Sequence, residues 1–206
     1  MGTHIGLYTN AFIQGDAAAI ERQVDWAKGK PNEFNMVAAQ AAAAAFSGKL
    51  QQSRELRRRA AELAKSRNFL EPAANITSGG AWVEANVGNY GQAREAAAAA
   101  LGIHHNAGVG AAASVFALAG DAPRAQALAE ELAKRFPSDT FVRSVALPAI
   151  RASIEISRGN PAKAIELLQA ATPYENGLFE PQYMRDRKST RLNSSHIQKS
   201  RMPSSA

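Results

Sequence analysis

Ala81-Trp82-Val83-Glu84-Ala85-Asn86-Val87-Gly88-Asn89-Tyr90-Gly91-Gln92-Ala93, followed by Ala100-Leu101, is the stretch that decides the fold. Its centre, Gly88-Asn89, is a stop and a start. Glycine takes the left-handed conformation that ends a helix, and Asn or Asp just after it is a good N-cap for the next. The same pairing of Gly with a polar residue stands at Gly15-Asp16, Gly48-Lys49, Gly120-Asp121 and Gly159-Asn160, at intervals of 33, 40, 32 and 39 residues. Five residues beyond each glycine stand Ile20, Ser53, Ala93, Ala125 and Ala164. Twelve beyond stand Ala27, Ala60, Ala100, Leu132 and Ala171. Small apolar side chains at fixed offsets from a turn mark where two helices of a hairpin touch, and a fixed period marks a repeat architecture.

The hydrophobic pattern agrees. Ala17, Ile20, Val24 and Ala27, and later Ala125, Leu128, Leu132 and Phe136, recur at helical spacing. The opposite face is charged, as with Arg54, Glu55, Arg58, Glu62 and Lys65. The spacing predicts first helices over about 4–14, 33–47, 71–87, 105–119 and 140–158, and second helices over about 16–29, 49–67, 89–102, 121–136 and 160–172. Pro31, Pro72, Pro137 and Pro173 are expected between helices, where a helix stops. Pro148 falls inside a helix and is expected to kink or split it near Leu147.

On these residues the chain resembles the tetratricopeptide repeat. Ala81 matches the small residue of that family's first helix, and Gly88, Tyr90, Ala93 and Ala100 match its turn and second-helix packing positions. Gly120, Ala125 and Pro137 match in the next unit. Unit lengths vary and the large aromatics of the first helices are mostly missing, so the repeats are degenerate. The resemblance implies an all-α, right-handed superhelical stack of about five helix-turn-helix repeats over residues 1–184, incomplete at its C-terminal end, whose work is protein binding. A narrower resemblance covers 118–185, from LAGDAPRAQALAEELAKRFPSDT to ALPAIRASIEISRGNPAKAIELLQAATPYENGLFEP. This run is similar to the helical-repeat region that follows the kinase domain in certain large bacterial serine/threonine protein kinases, and to repeats in related transcriptional regulators. No Gly-rich loop with its lysine, His-Arg-Asp or Asp-Phe-Gly accompanies it, so no kinase activity carries over to any residue of this chain.

Composition sets the bounds. Aromatics are 7% and hydrophobic residues 46%, with alanine supplying runs such as Ala41 to Ala45 and Ala96 to Ala100. Alanine has the highest helix propensity. Without cysteine there is no disulfide framework and no thiolate metal site. No run approaches the roughly 20 apolar residues that span a bilayer, and no signal peptide is visible. The expectation is a soluble cytoplasmic protein. Of the formal net charge of +6, Arg185, Arg187, Lys188, Arg191, Lys199 and Arg201 against Asp186 account for all but one unit. Residues 185–206, rich in Ser, Arg and Lys, are expected to be disordered. They resemble translated sequencing-adapter DNA and are expected to be non-native. A basic nucleic-acid-binding arm is the rival reading, but it lacks interleaved aromatics for stacking.

Candidate chemistry is sparse. Gly108-Val109-Gly110 matches a dinucleotide fingerprint only on paper, because no strand precedes it. His104 and His105 lack partners at metal-ligand spacing. Arg57, Arg58 and Arg59 read as a solvated face partly neutralised by Glu55 and Glu62. No catalytic residue, cofactor or metal is therefore expected, and the alternative of an enzyme has no recognisable site. In the repeat family the first helices line the concave groove. There Trp82, with Asn75, Ser78 and Asn86 on its face, is the candidate peptide-binding surface. The partner is expected to be a protein or peptide, without membrane involvement.

Tyr174, Leu178, Phe179 and Tyr183 look like the opening of a sixth unit that the composition break interrupts. The face of the last hairpin, with Ile165, Leu167 and Leu168, would then be partly uncovered, which favours self-association. A chain shortened at Met184 should unfold at the same temperature as the 206-residue chain when followed by circular dichroism. A large drop in its midpoint would make the tail part of the fold.

Overall fold

The protein is described by a computed structural model covering residues 1–177. The expectations for Leu178, Phe179, Tyr183 and the 185–206 tail lie outside the described residues. Among those described, the regular structure is entirely helical. The helices are α1 (Gly2–Gln14), α2 (Ala17–Ala27), α3 (Glu33–Phe46), α4 (Leu50–Ser66), α5 (Leu70–Asn86), α6 (Tyr90–Ile103), α7 (His105–Leu118), α8 (Ala122–Arg135), α9 (Leu147–Ser157) and α10 (Pro161–Leu168). A π-helical turn, Val142–Ala146, leads into α9, and a 3-10 segment, Gln169–Gly177, follows α10. The described residues thus form five serial helix-turn-helix repeats. It divides into two compact units, with the boundary between Ala112 and Ala113. In the first, α1 packs on α2, α3 on α4 and α5 on α6, while α4 also packs on α5. In the second, α8 packs on α9 and α9 on α10.

The turns are alike. Gly15, Gly48, Gly88, Gly120 and Gly159 all have positive φ, between 72° and 86°. At each, the following residue's N–H reaches back five residues: Asp16 to Ala11 O (2.9 Å), Lys49 to Ala44 O (2.8 Å), Asn89 to Glu84 O (2.9 Å), Asp121 to Phe116 O (2.8 Å) and Asn160 to Glu155 O (2.9 Å). That bond satisfies a carbonyl left over at the helix end and fixes the chain's exit. The α4–α5 link repeats the device without glycine: Asn68 has φ 60°, and Phe69 N–H donates to Ala64 O at 2.9 Å.

The expected capping holds for aspartate and fails for asparagine. Asp16 accepts from Ala19 N–H at 2.9 Å and Asp121 from Arg124 N–H at 3.4 Å. Asn89 and Asn160 make no such bond. An asparagine amide can donate, and both are drawn backwards instead: Asn89 Nδ2 to Glu84 Oε2 (2.7 Å) and Asn160 Nδ2 to Glu155 Oε2 (3.0 Å).

The offset positions form the helix contacts. Ala27, Ala60, Ala93, Ala100, Ala125, Leu132, Ala164, Ala171 and Ser53 are all buried, and Ile20 is partly so. Ser53 stands among apolar counterparts because its hydroxyl donates to Ala41 O of α3 at 2.8 Å. Around these contacts Phe34, Val37, Ala64, Ala73 and Ile76 join α3, α4 and α5 in one cluster, and Ala152, Ala164 and Leu168 join α9 and α10 in another.

Pro72 and Pro173 stand inside helical segments and not between them, Pro173 within the 3-10 segment Gln169–Gly177. Pro72 lies inside the first turn of α5, where a missing N–H has no intrahelical partner to lose. Pro148 stands where the expected helix divides: a π turn ends at Ala146 and α9 begins at Leu147. The backbone stays right-handed helical through Ala146 and Leu147, and Leu147 N–H donates to Val142 O five residues back. The wider π turn carries the strain that the proline ring would impose on the preceding turn. Of the last hairpin's apolar face, Leu168 is buried, Leu167 partly buried and Ile165 exposed.

A side chain at Gly88 or Gly120 would meet no atom within 4 Å, so substitution there tests φ alone. Gly88→Val and Gly120→Val should each destabilise the protein by about 1–2 kcal/mol. Gly88→Asn should lose much less, since Asn68 already occupies such a turn. Urea unfolding of the three variants checks this, and equal losses for Val and Asn would contradict it.

Candidate functional site

α5 packs against both α4 and α6, and an open cleft of about 500 Å³ runs over it between them. α4 contributes Arg54, Arg57, Arg58, Ala61 and Lys65. α5 contributes Thr77, Gly80, Val83 and Glu84. α6 contributes Gln92, Glu95, Ala96, Ala99 and Ile103. Spacings of three and four residues put each set on one helix face. Small residues, Ala61, Gly80, Ala96 and Ala99, are interspersed among the longer polar and charged side chains of its lining.

One end of the cleft is tied by a polar network. Arg54 donates to Glu84 Oε1 at 2.7 Å (Nε) and to Oε2 at 2.9 Å (Nη2), and Nη2 also donates to Gln92 Oε1 at 3.1 Å. A single guanidinium thus joins α4, α5 and α6. Glu84 is buried and also accepts from Asn89. Its hydrogen bond from Arg54 holds its carboxyl below the usual carboxylate range, helped by Asn89, while burial opposes the shift. Glu155 follows the same plan in the second unit, taking bonds from Asn160 at 3.0 Å and Arg158 at 2.9 Å.

The arginine run does not form one solvated face. Arg58 pairs with Glu62 at 3.2 Å and Arg59 reaches Glu33 at 3.9 Å, both arginines exposed. Arg57 turns inward. It lies against Gly79 and Gly80: a methyl on Gly79 would stand 2.9 Å from Arg57 Nη1, and one on Gly80 3.1 Å from Arg57 Cδ. Its Nε is buried without a hydrogen-bond partner. Burial lowers its affinity for the proton, and Glu84 offsets this through space.

Asn75, Ser78, Trp82 and Asn86 share the other side of α5 and do not line this cleft. Asn75 is exposed, Trp82 and Asn86 are half-buried, and the Asn86 amide donates to Trp82 O at 2.8 Å. The Ser78 hydroxyl is buried without a partner. Gly108 sits within α7, where its missing side chain lets it approach the Ala100 backbone of α6; a Cβ would stand 3.4 Å from Ala100 C and O. It serves helix packing. His104 Nδ1 accepts from Ala107 N–H at 3.2 Å at the start of α7. Among the described residues no cluster of His, Asp and Glu could hold a metal ion, and no helix is long and apolar enough to cross a membrane.

No family model matches the chain, and no curated protein matches it. Among solved structures it is similar to a tetratricopeptide repeat protein from Parabacteroides merdae. The identity is 14%, the match covers 93% of this chain and 86% of that one, and the TM-score is 0.40.

Glu84 makes acid sensitivity predictable. Its folded pKa is depressed, so the stability it supplies is complete above the ordinary carboxylate pKa of about 4.3 and is lost as pH falls through its lower folded value. Glu84→Gln should lower stability at neutral pH by about 2 kcal/mol, the range for hydrogen bonds to a charged group. It should also flatten the loss of stability below pH ~4.3. Unfolding free energies measured from pH 7 downward check both, and an unchanged acid limb would remove Glu84 from the account.

Proposed function

We propose that the chain is a protein-binding module that holds a segment of a partner in the cleft between α4 and α6. The observation that carries the reading is the cleft itself: about 500 Å³, walled by neighbouring repeats, with Ala61, Ala96, Ala99 and Ile103 set among charged side chains of both signs. That volume lies within the range of about 300–1,000 Å³ typical of binding sites. Serial hairpins contact mainly their neighbours and so expose long surfaces between repeats, which suits extended peptides. The face of α5 with Asn75, Ser78, Trp82 and Asn86 is a second candidate surface. What favours it is the unpartnered Ser78 hydroxyl beneath a half-buried Trp82.

We further propose that the natural protein is part of the non-catalytic repeat region of a bacterial signalling protein, a serine/threonine kinase or a transcriptional regulator. The support is the likeness of residues 118–185 to such regions. In this reading the chain recruits a partner for a catalytic or DNA-binding domain elsewhere, and itself binds without catalysis.

The two surfaces are separable. Ala99 is exposed on the cleft wall, so Ala99→Trp should fill the cleft while leaving the fold intact. Peptides selected on the full chain from a random library should lose binding to Ala99→Trp and keep it with Trp82→Ala. The reverse pattern would move the site to the other face of α5. Selection of no peptide at all would refute the binding reading.

A further inference from the structure

Resting on the cleft as the binding site, we infer that Arg57 is its anchor and that the occupant is a partner peptide presenting an aspartate or glutamate side chain next to aliphatic residues. Among the described residues Arg57 makes no ion pair or hydrogen bond, and its Nε is buried. The cleft's other arginines are engaged: Arg54 with Glu84 and Arg58 with Glu62. Glu84, whose two oxygens accept three bonds from Arg54 and Asn89, makes no hydrogen bond to Arg57 and acts on it only through space. A half-buried guanidinium whose buried Nε has no hydrogen-bonded partner is costly to the folded protein, and a carboxylate delivered from outside lowers that cost with a charge-assisted pair.

The notch that holds Arg57 is a second, independent observation. Gly79 and Gly80 are consecutive in the middle of α5, the one such adjacent pair within the described helices. Glycine is a much poorer helix former than alanine. The space above them is taken by the Arg57 side chain. The helix therefore gives up stability at the two positions where alanine would displace this guanidinium.

The geometry also selects the kind of acid. Arg57 lies on the backbone of α5 at Gly79 and Gly80, at the floor, whereas Ala61 of α4 and Ala96, Ala99 and Ile103 of α6 give the walls apolar patches among the charged Arg58, Glu62, Lys65 and Glu95. A peptide main chain resting across the walls reaches the floor with an acidic side chain, and its neighbouring aliphatic side chains cover the wall methyls. A free C-terminal carboxylate would instead require the chain end to turn down into the cleft.

The test uses the full chain and two random peptide libraries, one capped at both ends and one with a free C-terminal carboxylate. The capped library should yield peptides with an acidic residue flanked by aliphatics. Exchanging that residue for its amide, or making Arg57→Gln in the protein, should each weaken binding by about tenfold or more, and the two changes together should add little. Gly79→Ala keeps every charge and should weaken binding too, by pushing the guanidinium out of its notch. Thermal unfolding separates binding from folding: Arg57→Gln and Gly79→Ala should unfold at or above the wild-type temperature. A clear fall in that temperature for Arg57→Gln would make the guanidinium structural and overturn the proposal. So would selected peptides without acids, enrichment confined to the free-carboxylate library, or binding indifferent to Arg57→Gln. If binding survives Arg57→Gln yet is lost with Ala99→Trp, the cleft stands and the anchor falls. If it survives both, the cleft reading falls as well.

Discussion

Each hairpin of this protein hangs on a helix reversal through one left-handed residue. The hydrogen bond from the residue after it, reaching back five positions, leaves the chain a single direction in which to resume. Once that direction is set, the residues five and twelve places on must face the preceding helix. They can do so at short distance only if they are small, and nine of the ten are buried. Ser53 satisfies the rule with a hydroxyl, because a backbone carbonyl of α3 lies within its reach. A shift of one residue in any of these turns would rotate the contact face of the following helix and expose the alanines that hold it.

The cleft lies over the same packing. Contacts of α5 with both α4 and α6 leave those two helices as its walls. Rigidity at one end comes from Arg54, which spans three helices through Glu84 and Gln92. Around Arg57 the local choices oppose stability: two glycines within a helix, and a buried guanidinium nitrogen without a partner. Native sequences depart from locally favourable choices chiefly at functional positions, and here two departures meet at one side chain.

The fold was legible because its signals are local. Glycine spacing, apolar offsets and charged outer faces all depend on a few residues in sequence, and helix limits followed to within a few positions. Asn89 and Asn160 misled, since a capping residue type cannot disclose that a carboxylate five residues earlier will claim it. Pro148 marked the place of a break near Leu147, but not that it would take the form of a wider turn. The cleft was not legible, for it is assembled from three helices. Arg57 read as one of three solvated arginines, and only its meeting with Gly79 and Gly80, more than twenty residues on, gives it a place. The glycine pair itself was the available hint: consecutive glycines in a helix otherwise rich in alanine ask what fills the space above them.

The π turn at Val142–Ala146 has a consequence for how such a chain can change length. A straight α-helix advances about 100° per residue, so an added residue would swing every later side chain to a new face. A turn closed by a bond over five residues takes up one residue more than its neighbours and leaves the later residues in phase. Leu147 to Ser157 therefore keep their inward face against α8 and α10. An insertion of the sort usually confined to loops is absorbed here within a helix, beside a proline that has no hydrogen to contribute. Units aligned by their glycines should carry the gap inside the helix at this point, and the interhelix turn at Gly159 is left with the same geometry as the others.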